Sequence, residues 1–74
     1  MNDEKIRQIL KENQKKQVYI RYRNAEGHDY IYGIVESIEE KETIVTLSRE
    51  KEDVILDFGR LDIYAIEVKK DIKR

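Results

Sequence analysis

The chain has 74 residues, of which 31 are charged (15 Lys or Arg and 16 Asp or Glu), and 39% of its residues are hydrophobic. A chain of this length can build one small core, so we predict a single domain over 1–74. Zero cysteines and one histidine exclude a disulfide framework, a thiolate zinc site and a histidine metal site. No apolar run approaches the roughly 20 residues that cross a bilayer, and the first residues are no signal peptide. We therefore expect a cytoplasmic protein without a membrane partner.

Charge is unevenly spread along the chain, although the net charge is only −1. Met1–Lys16 has five basic and three acidic residues, and Ile66–Arg74 has four basic and two acidic residues. Ser37–Asp53, in the middle, has three basic and six acidic residues. Mixed charge of this kind is typical of a solvated surface, and it leaves open a cationic patch where the two basic ends meet.

The first element is predicted to be a helix over about residues 3–14. Asn2 or Asp3 can cap its N-terminus, because either side chain can accept hydrogen bonds from free amides of the first turn. Apolar residues then recur at helical spacing at Ile6, Ile9 and Leu10. This is one narrow apolar stripe, so the helix must pack against the rest of the domain to persist.

From Gln17 the apolar pattern changes to a period of two, which predicts strands over about 17–68. In the first strand, Val18, Ile20 and Tyr22 alternate with polar or aromatic residues. The strands predicted to follow are Tyr30–Ile38, Thr43–Ser48, Val54–Phe58 and Ile63–Val68. Gly33, inside the second strand, indicates a bulge or a bend. Residues 69–74 are predicted to be a basic tail.

Five short strands with a bent second strand predict a mostly β fold with one N-terminal helix. We expect a small, strongly bent antiparallel barrel. An open five-stranded sheet with the helix on one face is the alternative.

Two stretches of the chain resemble Sm-like domains. Ile31, Gly33, Val35, Ile38 and Glu39 fill an apolar-x-Gly-x-apolar-x-x-apolar-acidic pattern. Phe58–Ile66 is similar to the second Sm motif, in which a turn with Gly and Arg precedes Ile-x-x-Ile. Within that fold the chain resembles the bacterial YolD-like family, over roughly Ile9–Glu67. The resemblance implies an Sm-like (SH3-like) barrel in a bacterial or phage accessory protein, linked to error-prone DNA polymerases and damage tolerance.

The chain departs from the RNA-binding Sm pattern at two places. Sm proteins that bind uridine-rich RNA use an Asn in the loop after the second strand, whereas Glu39–Thr43 here has no Asn and three carboxylates. These carboxylates repel a phosphate chain. In addition, Gly59-Arg60 reverses the Arg-Gly order of the family. We therefore do not expect ring-type RNA binding by that pocket.

Neither a catalytic constellation nor a Gly-rich phosphate loop is present in the sequence, so we expect a non-catalytic protein without a cofactor. One set of candidate interaction residues combines aromatic and guanidinium side chains: Tyr19, Arg21, Arg23, Tyr32 and Arg60. The first three share one strand face, with Tyr30 or Tyr32 across the hairpin. A second set could contact a basic partner: Glu39, Glu40, Glu42, Glu50, Glu52 and Asp53.

These features predict a small interaction or regulatory module, with a protein as its first expected partner. One alternative is binding of RNA or single-stranded DNA by the aromatic and arginine residues. Another is a phage or mobile-element inhibitor whose acidic loops occupy a basic channel of a host nucleic-acid-binding protein. The apolar last two strands favour a homo-oligomer formed by edge pairing, the alternative being a monomer in which the helix or tail covers that edge.

Overall fold

One helix and five strands make up residues 1–69, the part of the chain that this computed structural model describes. In chain order they are α1 (Asp3–Glu12), β1 (Gln17–Asn24), β2 (Gly27–Ile38), β3 (Ile44–Ser48), β4 (Asp53–Asp57), a one-turn 3₁₀ helix (Phe58–Arg60) and β5 (Asp62–Val68). The predicted mostly β fold with one N-terminal helix is confirmed. Apart from Lys69, the predicted basic tail lies outside the described residues.

The five strands form one antiparallel sheet in the order β4-β3-β2-β1-β5. The sheet is not closed into the predicted barrel, because β4 and β5 are its two edges and do not pair, so the barrel prediction is wrong. Between these strands the chain makes the 3₁₀ turn, and the side chain of Phe58 enters the core there beside Ile6 and Leu10 of α1. Side-chain packing therefore takes the place of backbone pairing at the open side.

The helix begins and ends at identifiable caps. The Asn2 side chain accepts a hydrogen bond from the Lys5 amide at 2.8 Å, as predicted for an N-cap. At the other end the Asn13 side chain donates to the Ile9 carbonyl at 2.7 Å, and Lys15 has a positive φ of 69°. The helix consequently ends at Glu12, two residues before the predicted end.

The core lies between α1 and one face of the sheet. Its nine fully buried side chains are all apolar, and each is at most 1% exposed: Ile6, Leu10, Val18, Ile20, Val35, Val45, Leu47, Phe58 and Ile63. Because strand residues alternate between faces, the opposite face of β1, β2 and β5 is left to solvent.

Gly33 allows β2 and β3 to approach each other closely. A Cβ atom at this position would lie 2.8 Å from the Leu47 Cβ and 3.2 Å from the Ser48 carbonyl oxygen. The register between β2 and β3 shifts a little later in the chain, between Val35 and Ser37. The predicted irregularity of β2 is therefore a register shift two residues after Gly33, and Gly33 itself serves the close contact with β3. Separately, no helix within residues 1–69 is long and apolar enough to cross a membrane.

Candidate functional site

The face of the sheet turned away from α1 carries four of the five tyrosines. Tyr30 is 52% exposed, Tyr32 37% and Tyr64 36%, whereas Tyr22 packs against the core. Arginine side chains lie over or beside these rings. We call this surface the tyrosine face and define it by Tyr19, Arg21, Arg23, Tyr30, Tyr32, Arg49 and Tyr64.

Strand register brings three of the rings into one cluster. Tyr19 of β1 lies opposite Tyr32 of β2, and Arg21 lies opposite Tyr30. The ring centroids are 5.7 Å apart for Tyr19 and Tyr32, 6.1 Å for Tyr19 and Tyr30, and 6.3 Å for Tyr30 and Tyr32. These separations lie in the range of favourable aromatic pairs. The cluster is therefore held in place by its own contacts on a regular part of the sheet.

Three arginines surround the rings, in two different environments. The Arg49 guanidinium lies over the Tyr32 ring at 4.3 Å from its centroid, and that of Arg23 lies over Tyr64 at 5.1 Å. Arg21 instead donates from Nε to Glu67 Oε1 at 2.6 Å, and this hydrogen bond raises the pKa of Arg21. Within residues 1–69, neither Arg23 nor Arg49 forms an ion pair.

Arg49 also borders a concavity of about 340 Å³ on this face. The concavity is lined by Gln17, Tyr32, Gly33, Ile34, Ser48, Arg49 and Glu50. Interaction with the Tyr32 side chain raises the pKa of Arg49, so its guanidinium is charged at any physiological pH. The concavity thus offers one fixed cation, an exposed aliphatic side chain at Ile34 and several polar groups.

The structure brings together four of the five aromatic and arginine candidates. Tyr19, Arg21, Arg23 and Tyr32 all lie on the tyrosine face, as the alternation in β1 and β2 indicated. Arg60 lies apart from them on the 3₁₀ turn, where its Nε is 3.4 Å from Asp57 Oδ2. It therefore contributes to the local turn and not to the tyrosine face.

The six acidic candidates fall into two groups at opposite ends of β3. Glu39, Glu40 and Glu42 follow β2, whereas Glu50 and Glu52 follow β3 and Asp53 is the first residue of β4. The five residues of β3, roughly 13 Å of extended chain, separate the two groups. Among the residues described, no group of three or more His, Cys, Asp or Glu side chains could hold a metal ion. The acidic residues therefore do not form one site.

Sequence reasoning missed two members of the tyrosine face and left a third open. Tyr30 was an alternative to Tyr32, and the structure brings in both. Tyr64 follows the buried Ile63, so the alternation in the last strand pointed it outward. Arg49 lies just beyond β3 in a charged connector, where no periodic pattern indicates direction.

Comparison with known proteins adds no relative to these observations. No family model, curated protein or solved structure matches this chain.

Proposed function

We propose that this chain is a non-catalytic interaction module that binds a protein partner through the tyrosine face. The observation that carries the proposal is the cluster of Tyr19, Tyr30 and Tyr32, bordered by arginines, on the solvent side of the sheet. Tyr and Arg are enriched among the residues that dominate binding energy at protein interfaces. Rings that are already ordered lose little further conformational entropy on binding.

The arrangement of the rings favours a polypeptide over nucleic-acid bases. Base stacking needs a free ring face. Tyr32 has the Arg49 guanidinium over its ring and the Tyr19 ring stacked with it at 5.7 Å, so less of its ring surface is free for a base. In addition, the carboxylate of Glu50 lies in the concavity beside Arg49 and repels phosphates.

The Sm-like and YolD-like relationship is part of this proposal. It is supported by the order of one helix and five antiparallel strands and by the close approach of β2 and β3 at Gly33. The role that follows from it is that of an accessory protein contacting an error-prone DNA polymerase or another damage-tolerance factor. A stable complex between this chain and such a polymerase from the same cell, lost on changing the tyrosine face, would support that role.

Affinity capture with matched variants tests the proposed function. Tyr30→Ser removes the most exposed ring of the tyrosine face, and Gln8→Ser changes an exposed residue of α1, on the other side of the core. From a lysate of the cells that naturally make this protein, we expect the wild-type chain and Gln8→Ser to capture the same partner. Tyr30→Ser should not capture it. Circular dichroism verifies that each variant is folded.

A binding assay with nucleic acids distinguishes a protein partner from a nucleic-acid partner. Fluorescence anisotropy with 20-nucleotide single-stranded DNA and RNA at low salt should show no binding that depends on Tyr30. Tight, steeply salt-dependent binding that is lost in Tyr30→Ser would favour the nucleic-acid function instead. Recovery of the same protein partner by Tyr30→Ser would contradict the proposed use of the tyrosine face.

A further inference from the structure

The three arginines of the tyrosine face differ in whether they are already ion-paired, and this difference indicates which chemical groups a partner presents. Of its three arginines, Arg21 is already neutralised by Glu67 at 2.6 Å. Arg23 and Arg49 form no ion pair within the described chain. A guanidinium has five N–H donors, so contact with one tyrosine side chain leaves several of them able to bind a partner. Two oriented cations are therefore available to a partner.

The two available arginines lie at opposite margins of the ring cluster. Arg49 lies by Tyr32, which is opposite Tyr19 in β1. Arg23 lies four residues further along β1, roughly 13 Å, and over Tyr64 of β5. An extended segment that crosses the rings can thus reach a cation near each of its ends.

The concavity beside Arg49 fits a side chain better than it fits a free small ligand. At about 340 Å³ it is at the lower end of the roughly 300–1,000 Å³ typical of small-molecule sites. Its lining combines the Arg49 cation with the exposed aliphatic surface of Ile34. A carboxylate next to an apolar side chain complements this pair of features.

From these observations we infer that the partner of this chain presents an acidic segment, with an Asp or Glu carboxylate bound by Arg49 and an adjacent apolar side chain against Ile34. This inference rests on the proposed protein-binding function. A phosphate chain fits less well, because it offers no apolar side chain for the exposed surface of Ile34 beside Arg49.

Glu50 provides a second test, because removing its charge should strengthen binding whereas removing the charge of Arg49 should weaken it. Its carboxylate belongs to the same concavity and repels an incoming acidic side chain. Glu50→Gln should therefore strengthen binding of an acidic segment, whereas it should leave binding of a neutral segment unchanged. A general loss of fold or of surface charge cannot produce this pair of results.

The experiment uses the full chain and a displayed library of random ten-residue peptides. We expect the peptides selected by the wild-type chain to be enriched in Asp and Glu relative to Asn and Gln. The most strongly selected peptide is then synthesised, together with a copy in which its acidic residues are changed to the corresponding amides. Fluorescence anisotropy measures both peptides against the wild-type chain, Arg49→Gln, Glu50→Gln and Lys5→Gln, the last of which removes one exposed positive charge on α1.

Arg49→Gln should weaken binding of the acidic peptide about fivefold, as expected for one charge-assisted contact. Glu50→Gln should tighten it about twofold, and Lys5→Gln should leave it unchanged. The amide copy should bind the wild-type chain and Arg49→Gln equally.

Selection of peptides that need Tyr30 but show no acidic enrichment would overturn this inference and leave the proposed function intact. Acidic peptides that bind Arg49→Gln as well as the wild-type chain, or a library that yields no binder, would also overturn it. Peptides that bind Tyr30→Ser and the wild-type chain equally would contradict the proposed function itself.

Discussion

Replacing Phe58 by a smaller residue tests whether its side chain fills the gap between the two edge strands, β4 and β5. Phe58 is fully buried on the 3₁₀ turn between β4 and β5, where it packs with Ile6 and Leu10 in one core cluster. A buried aromatic side chain removes roughly 200 Å² from water, which at about 25 cal/mol per Å² corresponds to about 5 kcal/mol as an upper bound. We therefore expect Phe58→Ala to lower the free energy of unfolding by about 3–5 kcal/mol.

A loss of this size is a large share of the roughly 4–11 kcal/mol expected for a domain of this length, so Phe58→Ala is measured beside a milder variant. Phe58→Leu keeps an apolar side chain and should cost about 1–2 kcal/mol. Ile55→Ala is the matched control on the neighbouring edge strand, because Ile55 is 73% exposed. It should change the free energy of unfolding by less than about 0.5 kcal/mol.

Urea denaturation followed by circular dichroism measures all three variants and the wild-type chain. The order of stability should be wild type and Ile55→Ala first, then Phe58→Leu, then Phe58→Ala. If Phe58→Ala lost less than about 1 kcal/mol, or no more than Ile55→Ala, Phe58 would not be what fills the gap between the two edge strands.

Three further predictions concern Gly33 in β2, Asp57 at the 3₁₀ turn and the two edge strands of the sheet. Gly33→Ala should cost about 1–3 kcal/mol in urea denaturation, because the new Cβ would lie 2.8 Å from the Leu47 Cβ; an unchanged midpoint would show that the strands can separate without cost. Asp57 accepts from the Thr43 hydroxyl at 2.5 Å and from the Gly59 amide at 3.0 Å, and the Thr43 bond is the main cause that lowers the pKa of Asp57. A lowered pKa stabilises the fold above the ordinary carboxyl range and loses that effect as pH falls through the folded value, so Asp57→Asn should reduce the melting temperature at pH 7 and approach the wild-type value near pH 2. The unpaired edges of β4 and β5 predict self-association in sedimentation experiments, and a monomer at the highest concentrations would contradict edge pairing.

Local patterns predicted most of the secondary structure, because each depends on neighbouring residues alone. The alternation of Val18, Ile20 and Tyr22 set the buried face of β1, and so placed Tyr19 and Arg21 outside. The helix cap at Asn2 is equally local. Strand boundaries moved by a few residues, most of all at the start of β2, where the first hairpin extends pairing down to Asn24 and Gly27.

Closure of the sheet and the position of Arg49 could not be predicted in the same way. Whether β4 and β5 pair depends on what fills the space between them, and that is decided by Phe58 and α1 together. Arg49 directly follows the last residue of β3, and its side chain reaches Tyr32 only because β3 lies beside β2 in this register. Both features arise from contacts between segments far apart in the sequence.

The contrast between a basic N-terminus and an acidic middle also has a structural explanation. Lys11 pairs with Glu40 at 3.2 Å, and Lys15 pairs with Glu36 at 2.8 Å. Arg7 donates to the Glu42 carbonyl at 2.8 Å, so the basic residues of the helix segment meet β2 and the acidic loop after it.

Exposed pairs of this kind contribute little to stability, but they do reduce the charge that either segment presents to a partner. An acidic loop that is partly neutralised by its own helix is a weaker mimic of a phosphate chain, which counts against the inhibitor hypothesis. Arg23 and Arg49 have no such carboxylate partner within residues 1–69. These two arginines are therefore positive charges of the tyrosine face, beside the exposed rings, that no carboxylate in this part of the chain neutralises.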